Sequence, residues 1–211
     1  MDSIHSRYSS IRSFLPKGVR IVAVTKGRTT QQIQSVVEAG ALDIGENKVS
    51  EAAEKFPTLL ISSRVVRHMV GHLQRNKVKE AVSLFDVIQS VDSLALAQKI
   101  AKEAEAQKKR ITVYVEFNVS GKEERSGFST EKELLEAVEK IRALQSPFFK
   151  LDGLMGIATV EHPVRDFKKL KKLSAQLKLP VLSMGMSGDY ELAVYEGATM
   201  IRIGRALFPE E

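Results

Sequence analysis

The chain has 211 residues, 43% of them hydrophobic and 27% charged, which is ordinary for one globular domain and excludes disorder as a description of the whole. The net charge is +6 and there is no cysteine, so disulfides, thiolate metal sites and a cysteine nucleophile are excluded. No apolar run approaches the roughly 18–20 residues of a membrane helix, and Met1 to Tyr8 lack the apolar core of a secretory signal, so a cytoplasmic protein without a membrane partner is expected.

An amphipathic segment around Ile4–Phe14 comes first, and residues 1–18 form a helix and lead-in expected to cover the bottom of the domain. The hydrophobic period then switches repeatedly between two patterns. Short β-branched or apolar runs lie at Arg20–Thr25, Ala41–Ile44, Val65–Val70, Leu84–Gln89, Ile111–Asn118, Leu151–Ile157, Pro180–Met184 and Thr199–Ile203. Helical spacing falls between them, with faces at Ile33, Val36 and Val37, at Val49, Ala52, Ala53 and Phe56, at Leu94, Ala97, Ile100 and Ala104, and at Leu134, Val138 and Ile141. Thr130 with Glu133 reads as a capping box, and Asp92 as an N-cap. Eight strands, each followed by a helix or helical stub, predict a single (β/α)₈ barrel over residues 1–211 with an extra N-terminal helix. A doubly wound open sheet is the alternative, but neither the G-x-G-x-x-G nor the P-loop fingerprint is present.

The densest basic run, Lys168-Lys169-Leu170-Lys171-Lys172, sits among Phe167, Leu170, Leu173 and Leu177 at near-helical spacing. Its lysines are therefore assigned to the outer face of an amphipathic helix. Few aromatics interleave with the basic residues, so a nucleic-acid partner is not expected.

In a barrel the chemistry lies at the C-terminal ends of strands. The first run ends at Lys26, and alternation puts Val22, Val24 and Lys26 on one face. If that face is the interior, the ammonium is partly desolvated, which frees the amine for a Schiff base with an aldehyde. The other reading is a lysine past the strand end, reaching into water. Two glycine-containing turns follow the seventh and eighth runs, Met184-Gly185-Met186-Ser187-Gly188 and Gly204-Arg205. Glycine lets backbone amides approach an anion, and this is where barrels often bind phosphate. Arg202 alternates with Ile201 and Ile203, so it either pairs with a carboxylate or faces a ligand. His68 and His72 are four apart, but Gly71 between them argues against a metal-binding helix, and His68 is expected to pack or hydrogen-bond near the site.

Ala23-Val24-Thr25-Lys26, Gly45-Glu46-Asn47, His68 through Lys77, Gly153-Leu154-Met155, Leu182 through Ser187 and Ile201-Arg202-Ile203-Gly204 occur in an order that resembles the pyridoxal-phosphate homeostasis proteins, which share the barrel of alanine racemase. The resemblance spans the whole chain. It implies pyridoxal 5′-phosphate (PLP) as the cofactor, as a Schiff base on Lys26. It implies Ser187 and the amides at Gly204 and Arg205 on the phosphate, Arg202 against the pyridine nitrogen, Asn47 and Met155 near the ring, and His68 at or close to the pocket. Arg205 stands where many members carry serine or threonine, and Gly27-Arg28 departs from the small or hydroxylated residues that usually follow the lysine.

The implied function is non-catalytic: storage, buffering or delivery of PLP by a monomer, with PLP-dependent apo-enzymes as partners. The alternative is a PLP-dependent enzyme such as an amino-acid racemase. Alanine racemases resemble this barrel but take a tyrosine base from an added domain, for which a chain ending at Glu211 leaves no room. A guanidinium beside the pyridine nitrogen also keeps that nitrogen unprotonated and weakens the ring as an electron sink. A sugar-phosphate enzyme with a Schiff-base lysine is a third reading, with Glu46 as its acid–base group.

Overall fold

A computed structural model describes residues 3–122, 124–144 and 146–208. Eight parallel strands close into a barrel in sequence order: β1 (Arg20–Val24), β2 (Asp43–Glu46), β3 (Val66–Met69), β4 (Val87–Val91), β5 (Ile111–Phe117), β6 (Phe149–Gly156), β7 (Val181–Ser183) and β8 (Met200–Ile203). Closure is made by β1 against β8, with Arg20 beside Met200 and Ala23 beside Ile203. The helices are α1 (Ile4–Phe14), α2 (Thr30–Glu38), α3 (Val49–Lys55), α4 (Val78–Leu84), α5 (Leu94–Gln107), α6 (Glu131–Arg142), α7 (Pro163–Gln176) and α8 (Tyr190–Tyr195). The (β/α)₈ expectation holds, and the open sheet is excluded by the β1–β8 ladder.

Alternation along the strands splits the core in two. Outward residues such as Ile21, Ala23, Ile44 and Ile88 meet the helices in one large cluster. Inward residues Val22, Val87, Tyr114, Met155 and Met200 form a second, smaller cluster. The small apolar interior leaves inward positions for Asp43, His68, Gln89, Glu116, Ser183 and Arg202, all buried.

Two strands shift from the sequence reading by two or more residues at both ends. The second strand runs over Asp43–Glu46 rather than Ala41–Ile44, because both carboxylates are buried with cationic partners instead of ending the strand. The fourth begins at Val87, not Leu84; Leu84 closes α4 and Phe85 caps it in an extended conformation. Asp92 is not the cap of α5: Ser93 is, its hydroxyl accepting from the Leu96 amide at 3.3 Å. The capping box at Thr130 and Glu133 forms, and a second one links Thr29 with Gln32.

Helix α1 packs beside the N-terminal ends of the first strands, with Arg12 donating to Val19 O just before β1. Its Tyr8 hydroxyl donates to Gly40 O behind α2, and Phe14 meets the Tyr190 ring edge-on at 6.0 Å, so it joins the outer layer between α2 and α8. The basic run of α7 faces outward, with Lys169 pairing with Glu131 and lying over the Phe117 ring. Among the described residues no helix is long and apolar enough to cross a membrane.

Candidate functional site

Lys26 lies two residues beyond β1, on the inward parity set by Val22 and Val24. Its side chain is exposed at the C-terminal mouth. The desolvation that one sequence reading expected is thus not present: the lysine stands clear of the packed interior. What is fixed is the backbone around it. Gly27 has φ +65°, a left-handed turn that glycine adopts without strain, which accounts for the residue after the lysine. The Gly27 amide donates to Glu51 Oε2 at 3.0 Å, and Lys55 Nζ donates to Thr25 O at 3.1 Å. Lys55 also reaches Glu46 Oε1 and Glu51 Oε2, at 3.0 and 2.9 Å. One lysine on α3 therefore grips both flanks of Lys26.

Glu46 belongs to that grip and not to the interior. Its Oε1 accepts from Thr25 Oγ1 at 2.7 Å on the outer side of the barrel. Burial raises its carboxyl above the usual range despite the bonds from Thr25 and Lys55, and its Oε2 is buried without a partner among the described residues. An acid–base role for Glu46 toward Lys26 is not supported by this placement.

The turns after β7 and β8 meet directly. Ser187 Oγ accepts from the Ala206 amide at 3.2 Å, while Leu207 and Phe208 amides turn back onto Gly204 O. A hydroxyl that accepts one bond still has its own hydrogen to donate. Gly185 has φ +92°, and a Cβ there would meet Ala193 Cβ at 2.5 Å, so packing demands glycine. A Cβ on Gly188 would meet nothing within 4 Å, and one on Gly204 would touch only Val24 at ordinary distance. Packing therefore does not account for those two glycines. The Arg205 side chain is exposed, and Arg28 lies over the Phe208 ring at 5.8 Å, bringing a second guanidinium to this corner.

Arg202 points inward from β8. Its Nη1 donates to Ser183 O and Ser183 Oγ, both at 2.8 Å, and Nη2 donates to Gly156 O at 3.0 Å. Three of five N–H bonds are thus used within the described residues, leaving Nε–H and one Nη2–H. Burial draws its pKa down to about 10, partly opposed by Glu116 and Asp189, so it remains a cation at neutral pH. Of the two readings of Arg202, a carboxylate salt bridge is not found among the described residues: neutral oxygens hold it, and it keeps two N–H donors.

His68 and Met155 do not line an open pocket. His68 has no exposed surface, with Nε2 at 2.8 Å from Asp43 Oδ1 and Nδ1 at 2.9 Å from Gln89 Nε2. Met155 is 1% exposed and packs in the interior cluster. Asn47 is half-buried at the end of β2, and its backbone sits where a side chain on Gly71 would go. His72 is exposed and pairs with Asp92 at 3.2 Å, so the two imidazoles do not converge. Across the mouth, Glu116 is 4% exposed; Oε1 accepts from Ser126 Oγ at 2.9 Å and Oε2 has no partner among the described residues. It lines a cavity of about 320 Å³ with Asn118, Arg125 and Ile157. Sequence reasoning missed Glu116, Gln89, Ser183 and Asp43, although each is a polar residue on the inward parity of an apolar strand.

A strand-end lysine, a buried guanidinium with N–H donors left over and two glycine-containing turns thus come from neighbouring strands β1, β7 and β8. The family of the alanine racemase N-terminal domain matches residues 1–210. The pyridoxal phosphate homeostasis protein of Synechocystis is 37% identical over 213 residues, 96% of either chain. The solved structure of PipY from Synechococcus elongatus superposes with a TM-score of 0.91 without PLP and 0.88 with PLP bound, at 34% identity, covering 98% of this chain and all of that one. The chain belongs to the pyridoxal phosphate homeostasis proteins, within the alanine racemase N-terminal-domain family.

Proposed function

We propose that this barrel binds PLP as a Schiff base on Lys26 and serves cofactor storage, buffering or delivery rather than amino-acid turnover. The observation that carries the reading is the meeting of three chemistries on adjacent strands: Lys26 after β1, Arg202 on β8, and the Ser187 turn bonded to the Gly204–Ala206 turn. The residues present fit the group. When bound, PLP supplies an aldehyde that condenses with a primary amine, releasing water, and a phosphate that seeks N–H and O–H donors. Ser187 would donate its hydroxyl to the phosphate, the amides at Gly204 and Arg205 would add to it, and Arg28 and Arg205 would supply positive charge. Arg202 would donate to the ring nitrogen, and a guanidinium that is still cationic there withholds the ring proton on which strong carbanion chemistry depends. Asn47 stands at the mouth for the ring. The names of the relatives, homeostasis proteins rather than enzymes, support the same reading. Apo-enzymes that use PLP are the partners such a carrier would serve.

Borohydride reduction of the PLP-loaded protein should fix a phosphopyridoxyl mass on the peptide containing Lys26, and Lys26→Ala should remain folded but lose the visible absorption. Adduct on another lysine, with none on Lys26, would overturn the assignment. Ser187→Ala should weaken PLP binding by roughly 1.5–3 kcal/mol while leaving pyridoxal, which lacks the phosphate, nearly unaffected. In heavy water, L-alanine should exchange its α-proton no faster than with free PLP; faster exchange abolished by Lys26→Ala would place the protein among the enzymes.

A further inference from the structure

A single file of hydrogen bonds runs through the barrel from its mouth toward its opposite end. Arg202 Nη1 donates to Ser183 Oγ at 2.8 Å, and Ser183 Oγ donates to Gln89 Oε1 at 2.6 Å. Gln89 Nε2 then meets His68 Nδ1 at 2.9 Å, and His68 Nε2 meets Asp43 Oδ1 at 2.8 Å. Arg20 on β1 closes the file by donating through Nε to Asp43 Oδ2 at 3.1 Å. Ser183, Gln89 and His68 have no exposed surface, and Asp43 and Arg202 are 4% and 5% exposed.

The direction of every bond is forced by the two ends. A guanidinium only donates and a carboxylate only accepts. Ser183 Oγ accepts from Arg202 and gives its hydrogen to the Gln89 carbonyl, which leaves the Gln89 amide nitrogen facing His68. His68 must then accept at Nδ1 and donate from Nε2, which is one neutral tautomer. Turning the Gln89 amide around would leave the Ser183 hydrogen facing a donor and would require a second proton on His68. Burial disfavours that proton, driving the imidazole below its usual range against the pull of Asp43. The second Gln89 N–H is occupied by Met200 Sδ at 3.3 Å, which further holds the amide in place.

We propose that Gln89 and Ser183, backed by His68 and Asp43, are positioning residues that fix the Arg202 guanidinium so that its remaining N–H bonds serve the ring nitrogen of the bound cofactor. The proposal rests on the assignment of Arg202 to that nitrogen. Ser183 holds Nη1 from two sides through its carbonyl and hydroxyl, and Gln89, by accepting the hydroxyl hydrogen, keeps the oxygen lone pairs turned toward Arg202. Gln89 in turn keeps its orientation only while His68 offers a lone pair at Nδ1. None of the four touches the cofactor; they act through Arg202.

Two measurements test the file. In wild-type protein at neutral pH, nitrogen NMR should find His68 neutral with its proton on Nε2; a proton on Nδ1, or an imidazolium, would overturn the proposal. Binding of PLP is then compared with binding of 1-deaza-PLP, which keeps the aldehyde and phosphate but lacks the ring nitrogen. Wild type should prefer PLP. Gln89→Met and Ser183→Ala, each checked for native circular dichroism, should reduce that preference about tenfold by weakening PLP alone. Ser183→Thr, which restores the hydroxyl, should recover it. Equal losses for both ligands, or a preference that survives both variants, would overturn the positioning role while leaving the Arg202 assignment intact. A wild type that binds the two ligands equally would overturn both.

Discussion

Two buried polar clusters serve the same mouth and are built on opposite principles. The interior file from Arg202 to Asp43 gives every member a partner of the right kind, and burial raises Asp43 less than the bonds from His68 and Arg20 lower it, so its carboxyl titrates below the usual range. The outer cluster of Glu46, Glu51 and Lys55 hangs on a single ammonium and leaves Glu46 Oε2 orphaned. Glu116, on the inner wall, shares that defect. A fully satisfied buried network rigidifies what it holds, whereas a half-satisfied one costs stability. Arg202 is therefore held by a network in which each neighbouring group is paired, and the Lys26 loop by a cluster with one carboxylate oxygen left over.

Breaking the interior file should have the largest effect. His68→Leu strands the Gln89 amide and leaves Asp43 to Arg20 alone, and should cost about 3 kcal/mol in urea denaturation at neutral pH. A cost below that of the outer cluster would refute the contrast. Lys55→Met should cost roughly 2 kcal/mol at pH 7, because the buried Glu46 carboxylate loses its cation. Glu46 already titrates above its ordinary value, so the deficit should shrink as pH falls through that raised value and the neutral carboxyl no longer needs an ammonium. Gly27→Ala sharpens the comparison from the backbone side. A Cβ there meets nothing within 4 Å, so only the φ of +65° is at stake, and the cost should be about 1–2 kcal/mol.

The smallest effect should be a gain. Burial pushes the Glu116 carboxyl above its usual range, more than the bond from Ser126 and the nearby Arg202 charge lower it. A carboxyl whose folded pKa exceeds its unfolded one loses stability as pH rises through the unfolded value, ~4.3, toward the folded one. Glu116→Gln should therefore add about 1 kcal/mol at pH 7 and nothing well below pH 4, read as a pH-dependent difference in denaturation midpoint.

The barrel was legible because its strands and helices alternate with clear periods; Ile33 and Val36, or Leu134, Val138 and Ile141, mark faces that pack as expected. Lys26, Ser187, Gly204 and Arg202 were legible as strand-end or inward-parity residues. Asp43, Gln89, Ser183 and Glu116 carried the same parity signal, but a lone polar residue in an apolar run does not say which strand supplies its partner. That pairing is set by register, and β4 shifts register against β5 between Ile88 and Val91, beside Gln89. The hold of Lys55 on the Lys26 loop was beyond sequence altogether, since it depends on how α3 lies over β2.

The β1–β8 ladder joins the two extremes of the sequence, Arg20 beside Met200, and it also sets Val24, two residues before Lys26, against Gly204, whose turn is bonded to Ser187. Contacts so distant along a chain form late, because loop-closure entropy is met before they give any return. During synthesis Lys26 emerges early, before the seven further strands β2 to β8 are made. The phosphate corner does not exist until the final strand has docked. On the proposed assignment, capture of PLP needs both halves and so reports that the last strand is in place.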